Sequence, residues 1–270
     1  MGLKENPKKD GQEFPGSLGN YQLVKTEDGS FTLHSEAFDE NCHSLTGARE
    51  ETIYHYITGC KLVETAQVKP QVSVLEIGFG LGIGYEESVR ALSVKAPQAF
   101  LNFFSVEIDE ALITIATNLS EFTCAHYPNF KDLTRHERDG LVYYQAKKTN
   151  ASLTILIGNA RETLPRAKQL GLLPLFDAIY QDAFSPRKNP ILWTQQWFEL
   201  LKQLSAPTVQ LATYSSAQAV RKSMMLAGWG IHSELGFGPK RSCTRANLQS
   251  ASDPELIKQV QGPNLLALKD

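Results

Sequence analysis

The stretch Leu75-Glu76-Ile77-Gly78-Phe79-Gly80-Leu81-Gly82-Ile83-Gly84 decides how this chain folds. An apolar run, residues 72–77, leads into it, and a helical stretch, residues 85–96, follows. Closely spaced glycines between a strand and a helix let the backbone approach a ligand at the carboxyl end of the strand. The spacing also excludes two ligand classes. A Gly-x-Gly-x-x-Gly dinucleotide turn would need its third glycine at Ile83 or Tyr85. The Gly-Lys-Ser/Thr of a phosphate loop is absent as well.

Working outward, four further apolar runs read as buried strands: residues 100–107, 153–157, 176–181 and 208–213. Helical stretches at 85–96, 110–118, 161–169, 191–203 and 216–227 separate or follow them. Strands alternating with helices give an α/β fold, a doubly wound, mainly parallel sheet covered on both faces. Segments 230–235 and 265–268 are candidate antiparallel edge strands. Before the core, residues 21–25 and 30–34 alternate around Glu27-Asp28-Gly29 as a hairpin, and 47–67 reads as a helix. A polar insertion between Glu121 and Asn150, with Leu141-Val142-Tyr143-Tyr144 near its end, reads as an added hairpin. The expected organisation is a frayed start at 1–20, an extension at 21–70 packed on the core, and a catalytic domain at 71–270.

Composition sets wide bounds. Of 270 residues 42% are hydrophobic, enough for a sizeable core, and the formal net charge is −2. No global charge points to nucleic acid or membrane, although a local basic patch suffices for RNA. Cys42, Cys60, Cys124 and Cys243 stand far apart with no Cys-x-x-Cys pair, so no metal site is expected. Residues 1–20 lack the apolar core of a signal peptide, and no segment is long enough to span a bilayer. A cytoplasmic monomer is the expectation.

The strand tips carry the chemistry. The second strand ends Ser105-Val106-Glu107-Ile108-Asp109. A carboxylate there accepts from paired ribose hydroxyls, and Glu107, which closes the apolar run, is better placed for this than Asp109, a candidate helix cap. The third ends Gly158-Asn159-Ala160-Arg161. Asn159 matches an adenine edge with its amide, or caps the next helix. The fourth leads into Asp182-Ala183-Phe184-Ser185-Pro186-Arg187-Lys188-Asn189-Pro190 and Trp193, which sets a carboxylate beside the ligand cleft. The plainer alternative for Asp182 is a cap on the following turn.

The acidic-x-Gly-x-Gly-x-Gly turn resembles motif I of the class I methyltransferases, which implies S-adenosylmethionine as cofactor. Residues 21–248 further resemble the methyltransferase domain of the tRNA 5-methylaminomethyl-2-thiouridine biosynthesis family, MnmC. The resemblance rests on Ser35-Glu36-Ala37-Phe38-Asp39-Glu40, Gly78-Phe79-Gly80-Leu81-Gly82, Ser105-Val106-Glu107 and the loop from Asp182 to Trp193. Ala212-Thr213-Tyr214-Ser215, Val220-Arg221 and Gly236-Phe237-Gly238-Pro239-Lys240-Arg241 complete it.

That resemblance implies methylation of a 5-aminomethyl group on the wobble uridine of tRNA, so the anticodon loop is the implied partner. It implies cofactor contacts at Glu51, Glu76, Gly78, Phe79, Gly80, Gly82, Glu107, Asn159, Ala160 and Asp182, with Asp182 also catalytic. Substrate contacts are expected at Phe184, Pro186, Arg187, Lys188, Phe237, Lys240 and Arg241. Two departures stand out: the family usually has aspartate where Asn159 stands, and Asp-Gly-Phe-Ala-Pro where this chain has Asp182-Ala183-Phe184-Ser185-Pro186. Family members that carry an oxidase have a second dinucleotide turn. This sequence has none, so a stand-alone methyltransferase fed by a separate enzyme is expected. The rival readings are a spermidine-synthase-like aminopropyltransferase and a non-catalytic RNA-binding scaffold of the same fold.

Overall fold

A computed structural model describes residues 9–239, 241–262 and 264–270. Nine strands form the main sheet: β5 (Gln71–Ile77), β6 (Phe100–Glu107), β7 (Thr134–Arg138), β8 (Leu141–Lys147), β9 (Ala151–Ile157), β10 (Phe176–Gln181), β11 (Ser205–Thr213), β12 (Gly230–Leu235) and β13 (Ser242–Asn247). Their order is β12-β13-β11-β10-β5-β6-β9-β8-β7. The central five, β11-β10-β5-β6-β9, pair in parallel, and the flanking strands on either side are antiparallel. This is the doubly wound α/β architecture expected from the alternation of strands and helices.

Strands β5, β6, β9 and β10 are buried along nearly their whole length, which is why they read as continuous apolar runs. Helices α3 (Ile83–Lys95), α4 (Ala111–Leu119), α5 (Ala160–Gln169), α6 (Gln195–Gln203) and α7 (Gln218–Leu226) cover the sheet. One apolar cluster centres on Trp193, Trp197 and Phe198, and another on Tyr85, Phe103 and Tyr180. Residues beyond α7 end in α8 (Pro254–Val260).

The register aligns the strand tips. Ile77 of β5 pairs with Gln181 of β10 and with Val106 of β6, and Glu107 pairs with Ile157 of β9. Gly78, Asp182, Ile108 and Gly158 therefore leave the sheet at its carboxyl end. The chain passes β5, β6, β9 in one direction and returns to β10 on the other side of β5. That reversal opens the crevice where doubly wound sheets hold ligands.

The N-terminal extension forms its own sheet of β1 (Glu13–Pro15), β2 (Asn20–Lys25), β3 (Phe31–Ser35) and β4 (Glu40–Asn41). The expected fraying over residues 1–20 does not hold for residues 13–18. Phe14 pairs with Tyr21, and Asp109 accepts from Ser17 N at 2.8 Å, Ser17 Oγ at 2.7 Å and Leu18 N at 3.3 Å. Asp109 also accepts from Tyr21 OH at 3.1 Å and caps α4 through Ala111 N at 3.0 Å. Burial raises its carboxyl, but the bonds from Ser17, Ala111, Leu18 and Tyr21 outweigh that and hold it below the ordinary 3.8.

Two expectations need correcting. The helix read over 47–67 is three pieces: α1 (Ala48–Thr52), a π-helical turn at Ile53–Thr58 and α2 (Leu62–Val68). Lys61, at φ 51°, breaks it. The expected edge strand at 265–268 is irregular chain, held by Leu268 N to Ser223 Oγ at 2.9 Å. β13 pairs with β11 instead, and β12, the other expected strand, forms the edge beyond it. The inserted hairpin forms as β7 and β8 and joins the sheet beside β9. No helix among the described residues is long and apolar enough to cross a membrane.

Candidate active site

A partly open cleft of about 230 Å³ lies over the aligned tips. Gly78, Gly80, Glu107, Asn159, Ala160, Asp182 and Phe184 line it together with Phe38, Cys42 and His43. Gly78 needs its missing side chain twice over. Its φ is +98°, and a Cβ would fall 3.0 Å from the Asp182 carbonyl oxygen. The glycine turn and the reaction loop thus meet at one residue.

Glu107 is 6% exposed and braces the turn. Its Oε2 accepts from Phe79 N and Gly80 N, each at 3.1 Å, and its Oε1 from Asp109 N at 3.0 Å. The carboxylate also lines the cleft. Burial raises the Glu107 carboxyl above its ordinary 4.5, against the amides of Asp109, Gly80, Ile108 and Phe79.

Of its two expected roles, Asn159 shows the helix cap. Its Oδ1 accepts from Arg161 N at 3.0 Å and caps α5, and its Nδ2 donates to Glu162 Oε1 at 3.2 Å. It also faces the cleft.

Glu76, expected at the cofactor, lies beneath the turn and outside the cleft lining. It is 3% exposed and accepts from Ser105 Oγ at 2.8 Å. A Cβ on Gly84 would collide with its Oε1. Burial pushes its carboxyl well above 4.5, with the Asp182 and Glu107 charges adding to the rise against the Ser105 bond. Phe79 and Gly82 stand behind the cleft wall too. Phe79 packs edge-on against Phe130 at 5.3 Å, and a Cβ on Gly82 would strike that Phe130 ring. These three residues shape the turn rather than line the cleft. Glu51 is also buried, and it accepts from Ser44 N at 2.6 Å.

Asp182 is the carboxylate on the reaction side, with its side chain 13% exposed. Tyr56 OH donates to its Oδ1 at 2.6 Å, and His43 Nε2 lies 3.8 Å from its Oδ2. Tyr214 OH donates to the Ala183 carbonyl at 2.8 Å. Both phenols stay protonated. Burial, then the Asp182 charge, raises each well above 10.

The extension reaches across to hold this loop. Phe38 stacks on Phe184 with ring centroids 4.3 Å apart, Ser185 N donates to Glu40 Oε2 at 2.9 Å, and Lys188 Nζ pairs with Asp39 Oδ2 at 2.9 Å. Composition and spacing gave no sign of roles for Tyr56, His43 or Glu40. The signal available was the motif from Ser35 to Glu40, whose part in the site had no counterpart in local sequence pattern.

The remaining expected substrate contacts are dispersed. Arg187 is exposed and Pro186 half-buried on the same loop. Phe237 packs near Tyr54 at 6.1 Å and His55 at 6.4 Å, outside the cleft lining. Arg241 is exposed, and Lys240 lies outside the described residues.

A glycine turn that lets the backbone come close at Gly78, a buried carboxylate and an amide-bearing side chain at the third tip suit a nucleoside-bearing cofactor. A family model described as S-adenosyl-L-methionine-dependent methyltransferase matches residues 116–249. The chain belongs to the S-adenosyl-L-methionine-dependent methyltransferases. Its cofactor is S-adenosylmethionine.

Among curated proteins, this methyltransferase is 30% identical over 247 residues to the "tRNA 5-methylaminomethyl-2-thiouridine biosynthesis bifunctional protein MnmC" of Ectopseudomonas mendocina, covering 86% of this chain and 36% of that protein. It is 31% identical over 232 residues to the protein of the same name from Azoarcus sp., covering 83% and 35%. The chain thus spans about a third of the length of these relatives. Among solved structures, MNMC2 from Aquifex aeolicus superposes with a TM-score of 0.74 at 26% identity, covering 98% of this chain and 81% of that one.

Proposed function

We propose that this methyltransferase transfers a methyl group to the exocyclic amine of a 5-aminomethyl-uridine, 2-thiolated or not, at the wobble position of tRNA. The observation that carries the reading is Asp182. Its carboxylate borders the cofactor cleft at the tip of β10 and touches the glycine turn through its own backbone. The printed names of the curated relatives support the same acceptor.

Bound in the cleft, S-adenosylmethionine supplies a methyl group made electrophilic by its sulfonium. Glu107 would hold the ribose hydroxyls, and the Asn159 tip would face the adenine. The chain's remaining task is to present a neutral amine and to stabilise the charge that grows on its nitrogen. A free alkyl ammonium has a pKa near that of lysine, about 10.4. A neighbouring carboxylate raises it further. Asp182 therefore does not strip the proton beforehand by its charge alone. A fixed carboxylate instead orients the lone pair through an N–H bond and stabilises the cationic transition state. Phe184, stacked on Phe38, supplies an aromatic wall of the kind that holds unstacked loop bases. Arg187, exposed on the same loop, is placed for a phosphate, and Lys188 beside it is paired with Asp39. The protein acts in the cytoplasm as a monomer.

The test is incubation of labelled cofactor with tRNA that carries the aminomethyl group, and with tRNA that lacks it, followed by nucleoside analysis. Label on the amine of the first and none on the second is expected. Equal labelling of both, at a ring or ribose atom, would replace this reading.

A further inference from the structure

We propose that Tyr56 is a positioning residue for the methyl-accepting amine, acting through Asp182. The assignment rests on the amine-methylation reading above and names a residue which that reading leaves without a role.

Tyr56 lies in the broken helical segment before β5. Residues Ile53–Thr58 wind as a single π-helical turn between α1 and α2. Isolated π turns are uncommon and recur at functional sites. This one delivers Tyr56 to the interior, 2% exposed, although in sequence it reads as an ordinary apolar position of a helix. Its ring stacks on Tyr180 of β10, with centroids 5.3 Å apart and an interplanar angle of 27°. Tyr180 is itself fixed, its hydroxyl 3.1 Å from Ser88 Oγ. The ring has one orientation, and from it the hydroxyl donates to Asp182 Oδ1 at 2.6 Å.

That bond divides the labour of the carboxylate. Oδ1 is engaged by Tyr56 on the protein side, while Oδ2 lies toward His43, which lines the cleft. An ionised carboxylate accepts at both oxygens. With Oδ1 pinned, Oδ2 is presented in a single plane to the amine N–H. A donated hydrogen bond also favours the charged form of a carboxylate, the form that stabilises cationic nitrogen. Loss of the hydroxyl would remove this restraint on the carboxylate plane, and misplacement of a reacting partner by about 1 Å can cost about 100-fold in rate.

The experiment compares the full chain with Tyr56→Phe, which keeps the stacked ring, on tRNA bearing the aminomethyl group. Turnover (kcat) should fall about 10- to 100-fold, the scale of a hydrogen bond to a charged group. KM for tRNA, cofactor Kd and melting temperature should stay near wild type. A kcat unchanged from wild type, or a loss matched by equal loss of cofactor affinity or of fold, overturns the proposal. A second measurement needs no turnover. The 13Cζ resonance of Tyr56, identified by its disappearance in Tyr56→Phe, should move when Asp182→Asn removes the charged acceptor. An unmoved resonance also overturns the proposal. If the resonance moves but the wild type leaves the amine unmethylated, the amine reading itself has failed, and the role assigned to Tyr56 falls with it.

Discussion

Gly78→Ala perturbs the one residue where the cofactor turn touches the loop that carries Asp182. Two costs follow from the geometry. Gly78 sits at φ +98°, a backbone conformation that alanine reaches at about 1–3 kcal/mol. The new Cβ would also stand 3.0 Å from the Asp182 carbonyl oxygen and 3.6 Å from its carbon, so the backbone of the reaction loop must give by a few tenths of an ångström. The strain alone should lower the melting temperature by roughly 2–12 °C, at about 2–4 °C per kcal/mol for chains near this size. The shift of Asp182 should lower kcat by about tenfold, since about 1 Å of misplacement can cost about 100-fold. Gly29→Ala is the matched control. Gly29 has a φ of +81° with nothing within 4 Å of a Cβ, so its strain should cost stability and leave kcat intact. Thermal melts and single-turnover methyl transfer measure both. A Gly78→Ala protein with wild-type kcat, or a Gly29→Ala protein with an equal loss of kcat, would refute the coupling between turn and loop.

Glu107→Gln should weaken cofactor binding in calorimetry by about 10- to 100-fold, because one acceptor oxygen is replaced by a donor facing backbone N–H groups; unchanged affinity would remove Glu107 from the ribose site. Glu76 gives a pH test. Its folded pKa is raised above 4.5, so the stability it contributes is full below 4.5 and is lost as pH rises through the folded value. Glu76→Gln should therefore flatten the fall in melting temperature as pH rises above 4.5, and parallel profiles for the two proteins would contradict a raised Glu76 carboxyl. Arg187→Ala should reduce the slope of log affinity for tRNA against log salt by about 1; an unchanged slope would take Arg187 off the phosphate path.

The parallel core was legible because its strands are buried on both faces and carry unbroken apolar runs, as in Val74, Leu75 and Ile77 of β5. β13 was not. Ser242-Cys243-Thr244-Arg245-Ala246-Asn247 has small and polar residues, and its place beside β11 depends on pairing with a distant strand. Leu265–Leu268 misled in the opposite direction, since local apolarity there serves packing without a ladder partner. At the site, Gly78, Gly80, Glu107, Asn159 and Asp182 were readable from strand tips, where position in the sequence fixes position in the crevice. Glu76 lies beneath the turn, and its local motif does not reveal which side of the turn it occupies. Tyr56, His43, Phe38 and Glu40 reach Asp182 or its loop across more than a hundred residues, and no local pattern encodes such contacts.

The account turns on a division between holding the cofactor and presenting the amine, and Asp182→Ala tests it most directly. Calorimetry with the cofactor and methyl transfer to aminomethyl-bearing tRNA should be measured on the same preparation. Cofactor affinity close to wild type with turnover abolished is the predicted result. Turnover equal to wild type would contradict the role given to Asp182, and with it the amine as the methyl acceptor at this site.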